Sequence, residues 1–186
     1  MVAHYHGQIW NAAALTRALG VNESTVRRYL DLMTGVFMLR QLPPWFENLG
    51  KRQVKAPKVY VRDSGLLHAL LGIGTRRELE HHPKVGASWE GYAVEETLKA
   101  LRPDEAYYWA THGGAEIDLV LFKRGRRIGI ECKRMDAPAL TPSMRIALDD
   151  IKLDELRVVY PGAKRYRLAP KVEVWPLTEL IEAETR

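Results

Sequence analysis

The run Gly114–Arg134, GAEIDLVLFKRGRRIGIECKR, restricts the chain more than any other stretch. Ala115–Phe122 and Arg127–Lys133 both alternate with period two, and Gly125 with its basic neighbours supplies a tight turn, so the run reads as a β-hairpin. On the first strand Ile117, Leu119 and Leu121 point one way, and Glu116, Asp118, Val120 and Phe122 the other. On the second, Ile128, Ile130 and Cys132 point inward and Gly129, Glu131 and Lys133 lie opposite. Any fold that contains this hairpin has a sheet with one aliphatic face, and Asp118, Glu131 and Lys133 can meet on the other.

At 186 residues the chain can bury a core, and its length suits one domain of ordinary size or two small ones. No apolar run approaches the ~20 residues of a membrane span, and no charged leader with an apolar segment and cleavage site opens the chain, so the expected location is the cytoplasm and no membrane partner is expected. The single cysteine, Cys132, has no internal disulfide partner and is expected to pack as a small apolar residue. The net charge of +5 is unevenly placed: residues 1–82 carry 11 Lys/Arg against 6 Asp/Glu, and residues 83–186 carry 17 against 17. A positive field confined to the first part suits a polyphosphate partner, or is a solvated basic surface.

Residues 8–33 read as two helices with a tight turn. Asn11 caps AAALTRAL, whose apolar stripe is Ala14, Leu15, Ala18 and Leu19, and Gly20 ends it. Asn22 caps the next helix, which packs through Val26, Tyr29, Leu30 and Met33 and turns Thr25, Arg27 and Arg28 elsewhere. This is helix-turn-helix spacing, and Thr25, Arg27 and Arg28 are the expected DNA contacts; the alternative is a helical hairpin whose arginines serve solubility. Gly35 stops the second helix, and Val36–Leu42 is expected to form a wing strand before Pro43-Pro44. From Asn48 to Arg62, Lys51, Arg52, Lys55 and Lys58 alternate with aliphatic and aromatic residues, a composition suited to salt-sensitive phosphate contacts. Asp63 caps a short apolar helix, and residues 74–86 read as a linker, in which adjacent His81 and His82 lack a ligand-spaced partner for a structural metal.

A helix from about Ala87 to Leu101 opens the second part. Measured from Trp89 at about 100° per residue, Glu90 falls inside the apolar arc and Glu95 beside Lys99 outside it. Glu90 therefore needs a partner, a proton or a metal, and Glu95 is expected in solvent. Strands are expected at Ala106–Thr111, in the hairpin, at Leu156–Tyr160 and at Val172–Trp175, with a helix at Pro142–Leu153. Two strand carboxylates with a third from the preceding helix are hard oxygen ligands suited to Mg²⁺ or Mn²⁺, and the nearby lysine can stabilise charge on a phosphoryl oxygen. The same residues can also form an ordinary cross-strand surface pair worth ~0.2–1 kcal/mol.

The pattern of a helix glutamate, then Asp118, then Glu131-Cys132-Lys133 resembles the PD-(D/E)XK nuclease superfamily. More of the chain, LGVNESTVRRYLDLM, LPPW, KAPKVYVRDSGLL, GASWEGYAVEETL, GAEIDLVL and IGIECKR, resembles the DUF4143 family, the C-terminal region of bacterial and archaeal AAA-type ATPases. The resemblance implies an α/β protein, with a winged-helix-like helical module over 1–73, the linker 74–86 and a restriction-endonuclease-like αβββαβ domain over 87–186. It implies Glu90, Asp118 and Glu131 as metal ligands for Mg or Mn and Lys133 as the catalytic lysine. The chain has no Gly-x-x-x-x-Gly-Lys-Ser/Thr loop, so an ATPase would be a partner in trans. The expected function is metal-dependent hydrolysis of DNA; the alternative is a non-catalytic DNA- or protein-interaction module of an AAA-type ATPase system.

Overall fold

Asparagine side chains start both N-terminal helices in the computed structural model, which describes residues 1–46 and 56–185. After β1 (Gln8–Ile9), α1 (Ala12–Leu19) begins where Asn11 accepts the Ala14 N–H at 3.0 Å and ends at Gly20 in the left-handed region, φ 65°. α2 (Glu23–Gly35) begins where Asn22 accepts the Thr25 N–H at 2.8 Å. Both caps and both ends agree with the sequence reading. The packing faces are narrower than expected. Val26 and Leu30 are buried, but Tyr29 is 60% exposed, and of the predicted α1 stripe only Leu15 is buried while Leu19 is 53% exposed. Tyr29 lies about 60° around the helix from Val26, on the side away from Leu30. Two short helices share too small a contact to cover that position.

The chain then forms β2 (Leu39–Leu42) and β3 (Lys58–Val61), which with β1 make a three-stranded sheet in the order β1-β3-β2, antiparallel throughout. The expected strand from Val36 starts only at Leu39, because Phe37 at φ 62° turns the chain out of α2 and leaves Val36, Phe37 and Met38 exposed. α3 (Ser64–Leu70) starts at Asp63, as expected. The stretch read as a linker contains α4 (Arg76–His81), started by a capping box between Thr75 and Glu78. α5 (Val85–Leu101) follows.

The division into compact units falls inside α5: Met1–Leu42 with Ala56–Gly91 form one unit, and Pro43–Lys55 with Tyr92–Arg186 the other. The second unit contains β4 (Glu105–Ala110), β5 (Glu116–Lys123), β6 (Arg126–Cys132), α6 (Pro142–Asp150), β7 (Glu155–Tyr160), β8 (Tyr166–Ala169), β9 (Val172–Pro176) and α7 (Leu177–Thr185). After α5, the expected three strands, helix and strand follow in that order, with β8, β9 and α7 completing the unit. The six strands form one mixed sheet, β4-β5-β6-β7-β9-β8, in which β6, β7 and β9 run parallel and the outer pairs antiparallel. Val120, Leu156, Val158, Val172 and Val174 pack with Met144 and Ala147 of α6 and with Ile151 at its C-terminal cap in the principal core. Gly129 is required there, since a Cβ would lie 2.6 Å from Leu153 Cδ1 and 3.0 Å from Leu156 Cδ1.

Candidate active site

The antiparallel register of β5 and β6 pairs Leu119 with Ile130, and one step further places Asp118 opposite Glu131. Cross-strand partners share a face, so the period-two reading holds. The face is not a surface: Asp118 and Glu131 are each 6% exposed. Burying two facing carboxyl groups costs free energy unless dipoles or counter-charges compensate, which rules out the reading as an ordinary solvated surface pair. Asp118 Oδ2 accepts the Cys132 N–H at 2.9 Å, which fixes the carboxyl on the backbone of the next strand. Glu131 Oε1 lies 2.6 Å from Lys133 Nζ. Burial pulls the Lys133 ammonium down, but the charge and hydrogen bond of Glu131, with the charge of Asp118, outweigh it, and its pKa stands above the ordinary lysine value. Glu131 therefore favours the charged form of Lys133. Cys132 is buried, as expected of a packing residue.

The trio sits at the carboxyl end of β6, where β7 and β9 also end, and the loop to α6 begins at Lys133. Crevices beyond the carboxyl ends of parallel strands are where open α/β sheets bind ligands.

The helix glutamates are arranged differently from the sequence expectation. Glu95 is not in solvent but 2% exposed, and Lys99 pairs with Glu96 at 2.7 Å instead. The wheel failed because the buried arc of α5 between Gly91 and Leu101 is wider than its apolar one and takes in Glu95 at its edge. Ala93, Val94, Glu95 and Thr97 are all buried, and only Tyr92 and Lys99, two turns apart, are exposed. Glu90 does have the partner its inward position required, but in the N-terminal unit: Lys58 Nζ lies 3.2 Å from Glu90 Oε1, and the Tyr60 hydroxyl donates to the same oxygen at 2.7 Å. Lys58 is accordingly withdrawn as a DNA contact. It is 3% exposed because β3 is the central strand of its sheet, covered on both sides, and the Lys-Val-Tyr-Val alternation is interior rather than a basic surface. Lys51, Arg52 and Lys55 lie outside the described residues. Arg27 and Arg28 are exposed, with Arg27 3.6 Å from Glu23, and Thr25 is half-buried.

Among the described residues no three His, Cys, Asp or Glu side chains are gathered as a metal-binding group; of the expected set, Glu90 belongs to the N-terminal unit and Asp118 and Glu131 to the other. Asp118 and Glu131 alone fit the sparser set that Mg²⁺ accepts, one or two carboxylates completed by water and substrate phosphate. A residue the sequence reading missed is His6, which is buried in the N-terminal unit. Its Nδ1 accepts the Val61 N–H at 3.0 Å, and Nε2 lies 3.0 Å from the Ala87 carbonyl, which fixes the neutral tautomer. Gly91 makes room for the ring, since a Cβ there would lie 2.3 Å from His6 Nε2. A lone histidine before a glycine gives no spacing signal.

The fold and site define a two-unit α/β chain with a buried carboxyl pair and a lysine cation at the end of a parallel strand. The chain belongs to the family described as "Domain of unknown function (DUF4143)", which matches residues 85–180. Residues 1–77 match a second family, "Domain of unknown function (DUF8612)". Uncharacterized proteins of Mycobacterium tuberculosis (strain H37Rv) and Mycobacterium bovis (strain AF2122/97) are each 49% identical over 181 residues, which is 97% of this chain. The chain spans 41% of the length of those relatives. No solved structure matches. No helix among the described residues is long and apolar enough to cross a membrane.

Proposed function

We propose that this chain is a DNA-binding, nuclease-like protein whose C-terminal unit, of the restriction-endonuclease-like kind, hydrolyses phosphodiester bonds at Asp118, Glu131 and Lys133. The observation that carries the reading is the burial of two facing carboxyl groups beside a lysine held as a cation. In this reading Lys133 stabilises negative charge developing on the phosphoryl oxygens. The Glu131 and Asp118 charges, which raise its pKa above the ordinary lysine value against the pull of burial, favour that charged role. Glu131 orients the ammonium, and the Cys132 N–H holds Asp118 in place. Asp118 and Glu131 would hold a magnesium or manganese ion, which supplies charge neutralisation at the scissile phosphate and a more acidic bound water. The N-terminal module, winged-helix-like in this reading, brings the DNA through Thr25, Arg27 and Arg28 of α2 and through Lys51, Arg52 and Lys55.

The test is incubation with branched, single-stranded and duplex DNA in Mg²⁺ or Mn²⁺, beside Asp118→Asn. Cleavage by the unmutated chain alone supports the proposal; equal cleavage by both indicates a contaminant and removes it. Binding should weaken steeply with salt and in Arg27→Ala/Arg28→Ala, and insensitivity to both would remove α2 as the DNA-contacting element.

A second reading is a non-catalytic DNA- or protein-interaction module of an AAA-type ATPase system. It is favoured by the apolar residues exposed on α2, Tyr29 and Leu32, and at its C-terminal cap, Val36, since a surface that only reads phosphates has no use for them. Absence of cleavage on every DNA form, with binding retained, would select it.

A further inference from the structure

The N-terminal unit has an apolar surface that its own packing does not use. A groove of about 340 Å³ is bounded by Trp10, by Leu15 and Leu19 of α1, and by Val26, Tyr29 and Met33 of α2, with no charged side chain in its wall. Leu19 and Tyr29 extend from it into solvent. The surface continues along α2, where Leu32 is 56% exposed, to the exposed Val36 at its C-terminal cap. Tyr29, Leu32 and Val36 recur at spacings of three and four, so they form one stripe beside the groove, about 10 Å long at 1.5 Å per residue. Contiguous apolar surface of this kind on a small unit marks an interaction site. A concave slot continued by a two-turn stripe matches the ridge of side chains on a helix, not the flat face of a bilayer.

Charge specifies which helix. Arg28 lies about 40° around α2 from Leu32, on the border of the stripe. It is exposed and makes no ion pair among the described residues, whereas Arg27, on the far side, faces Glu23 at 3.6 Å. The N-terminal unit as a whole, Met1–Leu42 with Ala56–Gly91, carries 9 Lys/Arg against 6 Asp/Glu. We propose that the groove between α1 and α2, with the Tyr29–Leu32–Val36 stripe, docks an amphipathic helix of a partner protein whose polar face is acidic. The apolar ridge fills the groove and the acidic flank meets Arg28. The site shares Arg28 with the DNA contact proposed above but is independent of the Asp118–Glu131 chemistry, so it stands whether or not the chain cleaves DNA.

The probes are two fluorescein-labelled designed peptides, roughly five turns long, with leucines at i, i+3, i+4 and i+7. One has glutamates and the other lysines on the polar face, and binding to the full chain is read by fluorescence anisotropy. The glutamate peptide should bind, and the lysine peptide about tenfold more weakly or less. Arg28→Glu should reverse that preference, and Leu32→Glu should abolish binding of both. Both positions are exposed, so both variants should retain the far-UV circular dichroism and urea midpoint of the parent. Equal binding of the two peptides, binding of neither, or indifference to Leu32→Glu overturns the proposal. A concentration-dependent dimer in sedimentation that Leu32→Glu dissolves also overturns it, because the occupant is then a second copy of this chain.

Discussion

Acidifying the protein from about pH 7 to about pH 4.5 should destabilise its N-terminal unit through His6. The buried ring accepts the Val61 N–H on Nδ1, so a proton can be added there only by breaking that bond. Burial lowers its pKa from 6.5 to about 4; the Ala87 carbonyl opposes the shift, and Lys84 and His68 add repulsion in the same direction as burial. The sign follows from linkage. The unfolded chain takes up the proton near pH 6.5 and the folded chain only near 4, so this contribution is complete above about 6.5 and is lost as the pH falls towards 4. At about 1.4 kcal/mol for each tenfold step, the loss is about 2 kcal/mol at pH 5 and about 3 kcal/mol at pH 4. Carboxylates titrate over part of the same range, so the informative quantity is a difference. Urea unfolding of the parent and of His6→Gln, followed by tryptophan fluorescence, should show the parent losing stability more steeply between about pH 6.5 and 4.5. Parallel curves would refute the reasoning even if His6→Gln is weaker at every pH.

Gly129→Ala should cost about 1–3 kcal/mol by overpacking, since the new methyl meets Leu153 Cδ1 at 2.6 Å and Leu156 Cδ1 at 3.0 Å. Equilibrium unfolding should show Leu153→Ala costing less in that background than in the parent, and strict additivity would disprove the contact. Lys58→Met should cost on the order of 3 kcal/mol by removing the ammonium from the shielded Glu90 carboxylate, and Lys58→Met/Glu90→Gln should recover most of it. A single variant as stable as the parent would show that the pair is not holding β3 to α5.

What the sequence disclosed follows from how many sides of each element are covered. The hairpin was legible because period two fixes faces regardless of what lies against them, so Asp118, Glu131 and Lys133 came out together. Their burial was not legible, because alternation shows which residues share a face but not what covers it, and both faces of the sheet are covered here. The caps at Asn11, Asn22 and Asp63 were legible because they act within three residues. Glu95 and Lys58 failed for a common reason: α5 and β3 are each enclosed on more than one side, and enclosure is a property of neighbours distant in the chain. His6 depends on Val61 and Ala87, 55 and 81 residues away, which no local pattern encodes.

The carboxyl pair offers a test that needs no substrate. A fold that used Asp118 and Glu131 only as structural links would be weakened by neutralising either. A fold that holds two facing carboxylates for chemistry bears their repulsion as a cost, and removing one charge relieves it. Asp118→Asn is the suitable change, because the amide oxygen can still accept the Cys132 N–H now bound at 2.9 Å, and Glu131 keeps Lys133. Facing like charges at this position should give back about 0.5–1 kcal/mol, less whatever the carboxylate draws from Lys133. Asp118→Asn should therefore unfold in urea at the parent midpoint or above it while losing the DNA cleavage proposed for the parent. A loss of more than about 1 kcal/mol would identify Asp118 as a structural hub, since a buried charge whose removal weakens the fold is contributing more attraction than repulsion.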